Sequence, residues 1–111
     1  MMSTVAYGDF NNDGRVDKAA ITAPTTITVS LLNANGTYTV SATLKSNNNK
    51  AITDVHVGDT NGDGKPDVSA IAPFNGGWYV HSWLGNGDGS FEARKTNRFT
   101  FPPHGGHGGT W

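Results

Sequence analysis

The sequence predicts an all-β fold: two copies of a four-stranded antiparallel sheet, each opened by an acidic loop. Three observations carry this. The stretch Asp9-Phe10-Asn11-Asn12-Asp13-Gly14-Arg15-Val16-Asp17 returns fifty residues later as Asp59-Thr60-Asn61-Gly62-Asp63-Gly64-Lys65-Pro66-Asp67. The residues after each loop alternate apolar and polar with a period of two, in runs rich in Val, Ile, Thr, Tyr and Trp. Fifteen glycines with only 15% charged residues suit strands and turns better than helices.

Taken in order, Val5-Ala6-Tyr7 is a short extended run and Lys18 to Ile21 follows the first loop. Thr26 to Leu32 sets Ile27, Val29 and Leu31 on one face and Thr26, Thr28 and Ser30 on the other. Asn33 to Gly36 makes a hairpin, and Tyr38 to Leu44 returns with Tyr38, Val40 and Ala42 alternating. Lys45 to Lys50, with three consecutive asparagines, reads as a polar surface loop. The second unit follows as Val55 to Val57, Val68 to Ile71, Trp78 to Leu84, a Gly85 to Gly89 hairpin, and a return over Ser90 to Lys95. The repeat offset is 50 residues at the loops, 52 along the long strands and 53 after the hairpins. That places about two added residues near Pro73 to Gly77 and one in the second turn. Four short strands per unit of about fifty residues is the size of a propeller blade. The expected division is a first blade over 1–50 with loop 9–17, and a second over 51–111 with loop 59–67 and a Gly/His/Trp-rich inter-blade tail over 99–111.

Each loop carries side-chain oxygens at positions 1, 3, 5 and 9 and a glycine at position 6. Odd-numbered oxygens on a tight loop converge on one point, and the glycine permits the sharp reversal that brings them there. The expected occupant is a calcium ion in each loop, two per chain. Its ligands are Asp9, Asn11, Asp13 and Asp17, with the Arg15 carbonyl, and Asp59, Asn61, Asp63 and Asp67, with the Lys65 carbonyl. Turn propensity of Asn, Asp and Gly explains one such loop but not two at identical spacing. An EF-hand needs a bidentate Glu at position 12, and a dockerin-type loop an Asp there; this chain has Ala20 and Ala70.

Formal net charge is −1, and six of the nine acidic residues sit in the two loops. With two divalent ions bound the chain is weakly positive, too little to argue for nucleic acid or an anionic membrane as partner. Without cysteine there is neither a disulfide framework nor a thiolate metal site. No apolar stretch approaches a membrane span, and the start lacks a basic region followed by an apolar run. Calcium loops of modest affinity work best where free calcium is millimolar, so the expected location is extracellular. No nucleophile–base pair or phosphate-cradling loop is visible, so no enzyme activity is expected.

Gly8 to Asp17, together with Leu84-Gly85-Asn86-Gly87-Asp88-Gly89-Ser90-Phe91, resembles the FG-GAP/VCBS repeats, and the similarity covers residues 5 to 95 in two copies. The resemblance implies calcium-binding β-propeller blades of the kind found in integrin α chains and many secreted proteins. The tail from Phe101 through Gly108-Gly109-Thr110-Trp111 is similar to the inter-blade segment of Psathyrella-type fungal propeller lectins, which implies amino-sugar sites between blades. The first unit departs from it, because Lys45 to Lys50 replaces that segment.

Two blades cannot close a ring, since family propellers have about six to eight. The expected partner is a second copy of the chain joined head to tail, in a ring of about three or four copies, or the remainder of a longer parent. Aligned at the 52-residue offset, Ile27, Val29 and Leu31 become Tyr79, His81 and Trp83, and Thr26 becomes Trp78. Aromatic faces stack on sugar C–H faces, so Trp78, Tyr79 and His81, with His104, His107 and Trp111 of the tail, are the expected ligand-binding residues. Packing between blades is the alternative for all of them, and the favoured one for Trp83. His104 and His107 lack a third ligand for a transition-metal site. The expected function is a lectin-like module binding a GlcNAc-like carbohydrate between blades. A protein-binding, adhesion or self-assembling scaffold without sugar binding is the alternative.

Overall fold

In a computed structural model, residues 3–46 and 49–102 are described. They form eight strands in two four-stranded antiparallel sheets, with no helix among them. The first sheet has the order β1 (Val5–Gly8), β2 (Asp17–Ala23), β3 (Thr26–Leu32), β4 (Tyr38–Lys45); the second has β5 (Asp54–Gly58), β6 (Asp67–Phe74), β7 (Gly77–Trp83), β8 (Lys95–Thr100). Every strand pairs with its sequence neighbour, so each sheet is a meander. The acidic loops are the β1–β2 and β5–β6 connections.

Register corrects the 52-residue alignment. Lys18 pairs with Ser30, and its counterpart Val68 pairs with Trp83, so the offset along the long strands is 53. The β4 and β8 strands keep that value: Ala42 lies opposite Val29, and Lys95 opposite Ser82. All three additional residues therefore lie in the β6–β7 hairpin and none in the later turn. Tyr79, His81 and Trp83 consequently replace Thr26, Thr28 and Ser30, whereas Ile27, Val29 and Leu31 correspond to Val80, Ser82 and Leu84. The last strand is also later than the expected Ser90 to Lys95 return. A bulge at Ser41, where pairing shifts between Val29 and Ser30, recurs at its counterpart Arg94 and breaks the ladder before Lys95. Phe91 rejoins only as an isolated bridge to Gly85, and β8 takes in Phe99 and Thr100, expected in the tail.

The two sheets share one core, packed front to back. The front of the first sheet contributes Ala19, Ile27, Val29 and Leu44, flanked by Ala6, Ile21, Leu31 and Ala42. The back of the second contributes Val55, Val68, Ala70 and Trp83. Phe10 of the first loop and Ile52 of the linker complete it, with Phe10 edge-on to Phe91 at 5.5 Å. Positions facing one another are not repeat equivalents, so the second unit is carried past the first in the manner of successive blades. Backbone bonds pin the junction: Val55 N–H to Ser3 O (2.9 Å), Ile52 N–H to Pro24 O (2.7 Å) and Gly89 N–H to Phe10 O (2.9 Å). Arg94 adds a guanidinium bond to Lys45 O at 3.0 Å.

At Gly8 the sheets approach too closely for a side chain, since a Cβ there would lie 2.7 Å from Val57 Cγ1. Its counterpart Gly58 has open space in the same direction. Gly8→Ala is expected to cost about 1–3 kcal/mol through overpacking. Gly58→Ala in dilute solution is expected to be neutral or stabilising by up to about 1 kcal/mol, because a strand glycine loses more backbone entropy on folding. Urea denaturation midpoints of the two variants check this, and equal effects would contradict the front-to-back packing.

Candidate functional site

Each acidic loop is wound by its own carboxylates. Asp9 accepts the N–H groups of Asp13 (3.1 Å) and Gly14 (2.8 Å), and Asp13 accepts that of Arg15 (2.9 Å). In the second loop Asp59 accepts Gly62, Asp63 and Gly64 N–H at 2.8, 3.2 and 2.8 Å, and Asp63 accepts Lys65 N–H at 2.9 Å. Gly14 and Gly64 sit at φ 83 and 80, the left-handed backbone that glycine adopts without strain. Asn12, at φ 58, takes the same kind of conformation as its counterpart Gly62.

The ninth loop position closes the structure. Asp17 and Asp67 are both fully buried. Asp17 accepts Phe10 N–H (2.9 Å) and, from the end of β3, Leu32 N–H (2.8 Å). Asp67 makes the equivalent pair with Thr60 N–H (2.8 Å) and Gly85 N–H (2.9 Å), and takes the Thr60 hydroxyl at 2.6 Å. One carboxylate thus ties the start of its loop to the far end of the third strand.

In the first loop, Asp9, Asp13 and Asp17 each present a carboxylate oxygen within 4.8 Å of the others. Among the described residues this is the one group of three or more candidate ligands so gathered. Asn11 Oδ1 lies buried with no hydrogen-bond partner. Three carboxylates beside an orphaned amide oxygen fit a hard divalent cation, which takes carboxylate and amide oxygens alike. In the second loop the Asn61 amide lies 3.1 Å from Asp59 Oδ1 and 2.9 Å from Asp63 Oδ1. Its nitrogen in that place donates to both; its oxygen there needs a cation shared between three acceptors. The Arg15 side chain turns to Asp13 (3.0 Å) and to Leu32 O (2.9 Å). The Lys65 side chain lies along Gly87.

Hydrogen bonding favours the ionised carboxylates. The Arg15 N–H, aided by the guanidinium, holds Asp13 below its usual range, and the Gly64 N–H does the same for Asp59. Burial pushes Asp67 up, but the Thr60 hydroxyl and the Gly85 and Thr60 N–H groups outweigh it, leaving a net lowering.

The expected ligand-binding residues divide between two faces. Trp83 is buried in the inter-sheet core, as packing requires. His81, on the same face, is 1% exposed; its Nδ1 meets Thr96 Oγ1 at 2.8 Å, and its Nε2 is buried without a partner. Tyr79 stacks on His81 at 6.1 Å and leans on Phe74 at 4.8 Å. Trp78 points to the opposite face, where it stacks on Phe99 (5.5 Å, 15°) and meets Phe101 (5.5 Å). Phe99 and Phe101 are 44% and 57% exposed. These two rings were not expected at a site; their alternation with Arg98 and Thr100 was the available signal. His104, His107 and Trp111 lie outside the described residues.

Two meandering sheets in front-to-back contact, each opened by an oxygen-rich loop, define a repeat protein built of propeller-type blades. Residues 9–70, which span both loops, match the profile of the FG-GAP-like repeat, and the chain belongs to that family. Repeats of this kind often bind calcium, occur in extracellular proteins and typically serve as structural or binding modules. No curated protein and no solved structure matches the chain. No helix among the described residues is long and apolar enough to cross a membrane.

The buried imidazole sets a pH dependence. Burial, and then the nearby Arg94 guanidinium, lower the His81 pKa from its ordinary 6.5. The unfolded chain then binds this proton more readily than the folded one, so stability falls as pH drops from about 6.5 downward. His81→Gln is expected to flatten that fall in a series of urea midpoints against pH. An unchanged slope would place the titration on other groups.

Proposed function

We propose that the chain is a calcium-stapled β-propeller module that binds carbohydrate on an aromatic shelf at the blade edge. Asp9, Asn11, Asp13 and Asp17 hold one ion and Asp59, Asn61, Asp63 and Asp67 the other, with the Arg15 and Lys65 carbonyls completing the sets. The ion supplies positive charge among carboxylates that otherwise repel one another, and so fixes the loop between the first two strands of each blade. The orphaned Asn11 oxygen beside three gathered carboxylates supports this reading. Binding at a hundredfold excess over the dissociation constant stabilises a folded chain by about 2.7 kcal/mol per site. Chelation is therefore expected to lower the melting temperature, with the first loop responding at lower calcium than the second, where the Thr60 hydroxyl already serves Asp67. A melting temperature indifferent to chelator and to millimolar calcium would end the calcium reading.

The observation that carries the carbohydrate part is the shelf itself: Trp78, Phe99 and Phe101 grouped on a face open to solvent. Flat, apolar, partly exposed rings of this kind suit the C–H faces of a pyranose, with an amino sugar of the GlcNAc type as the leading ligand. Retention on immobilised N-acetylglucosamine, abolished by Trp78→Ala with the fold retained, is the expected result. Failure to bind any glycan of an array would leave the second reading, a protein-binding scaffold of extracellular type. Burial of His81 favours that alternative, because it withdraws one of the expected sugar-facing rings into the core.

A further inference from the structure

We infer that the open front of the second sheet and the open back of the first meet between copies of this chain, repeating the junction already made within it. The inference needs no bound sugar and rests on where apolar surface has been left.

Among the described residues, the exposed large apolar side chains are Tyr7, Val16, Tyr38, Val40, Phe99 and Phe101. Through the repeat offsets, Tyr7, Val16 and Tyr38 correspond to Val57, Pro66 and Phe91. Those three pack onto the first unit: Val57 and Pro66 against Gly8, and Phe91 edge-on to Phe10. Val40 stands beside Tyr38 on the same strand, at the counterpart of Ala93. Phe99 and Phe101 lie at the other end of the molecule, on the front of the second sheet. Among the described residues, large apolar exposure therefore lies on the two faces that a further blade on either side would cover.

The receiving positions match. Gly58 corresponds to Gly8 and is open where Gly8 meets Val57, so it leaves room for Tyr7 of a second copy. Gly89 lies 3.1 Å (from an added Cβ) from Leu31 Cδ1 and 3.4 Å from Ser41 Cβ; its counterpart Gly36 has nothing within 4 Å. In the assembly Gly36 approaches Leu84 and Arg94 of the neighbouring copy.

Polarity has changed on both faces together. On the front, the apolar row Ala6, Ala19, Val29, Ala42 becomes His56, Ser69, Ser82, Lys95. On the back, Val68 and Trp83 become Lys18 and Ser30. Lys18 is held over the Tyr38 ring at 4.3 Å, and His56 lies 3.8 Å from Asp54. The junction between copies is thus more polar than the one within a chain. It forms reversibly, with concentration, and because the two faces differ it propagates head to tail.

Sedimentation velocity on the full chain in calcium, over a range of concentrations, tests this. The wild type is expected to show species at multiples of 11.7 kDa that grow with concentration. Gly58→Val blocks the front and Tyr7→Asp the back. Each is expected to sediment as a single 11.7 kDa species with the urea midpoint of the dilute wild type retained. Mixed in equal amounts they retain one intact junction, so a dimer and nothing larger is expected. A folded wild type that stays monomeric at every concentration, single variants that assemble as the wild type does, or a mixture without dimer would each overturn the inference.

Discussion

The structure depends on a carboxylate buried at the ninth position of each acidic loop. Asp17 and Asp67 have no exposed surface, yet each accepts one N–H from its own loop and one from the far end of the third strand. A buried ionised group is costly unless hydrogen bonds and charge compensate it. Here the compensation is geometric: the two N–H groups belong to segments that strand pairing alone does not bring together. Truncating either side chain would strand two backbone donors, each worth about 1–3 kcal/mol when unpaired. The same geometry leaves lone pairs on Asp17 facing Asp9 and Asp13, so the clamp that closes the blade also builds the oxygen cluster. A cation suits that cluster because it relieves a repulsion the fold itself creates.

Loops of the same oxygen spacing sit in different surroundings, and the second position of each expresses the difference. The second position is Phe10 in the first loop and Thr60 in the second. Phe10 is almost wholly buried, edge-on to Phe91, and its carbonyl receives the Gly89 N–H. It joins the metal-type loop of one sheet to the hairpin of the next. Thr60 is exposed, and its hydroxyl goes instead to Asp67, adding a third donor to that carboxylate. The first loop is therefore a junction element as well as a cluster of carboxylates, whereas the second is finished within its own sheet.

Strand existence and both loops were legible because their signals are local. Period-two alternation at Thr26 to Leu32 and oxygen spacing over nine residues need no knowledge of partners. Register was not legible in the second unit. Aligning Leu32 with Leu84 and Ser30 with Ser82 matches like with like, and it is wrong by one residue. A one-residue slip moves every side chain to the other face of the sheet. Tyr79, His81 and Trp83 were thereby assigned to the wrong side, opposite the aliphatic row they were compared with. What fixes the true register is the Asp67 bond to Gly85 N–H, the counterpart of Asp17 to Leu32 N–H. That restraint spans eighteen residues and cannot be seen in a local pattern. The aromatic shelf was half legible: Trp78 stood out, but Phe99 and Phe101 were hidden by the assumption that the last strand ended at Lys95.

The three-residue insertion explains why the shelf exists only once. In the first unit β2 and β3 turn early, and the chain leaving β4 crosses just beyond them. There Ser46 N–H bonds to Thr25 O at 3.1 Å and Ile52 N–H to Pro24 O at 2.7 Å. In the second unit the longer hairpin carries pairing on through Pro73, Trp78 and Phe99 to the Gly77–Thr100 pair. A cross-strand row of proline and aromatic rings now extends past the corresponding end of the first sheet, and Phe101 N–H closes on Gly76 O at 2.9 Å. Gly77 is obligatory in that extension, since a Cβ would fall on the Phe99 carbonyl. The insertion thus converts a place where backbone crosses into one where side chains stand open. Because the row lies at the end of the open front of the second sheet, the proposed sugar shelf and the proposed contact between copies would share that edge.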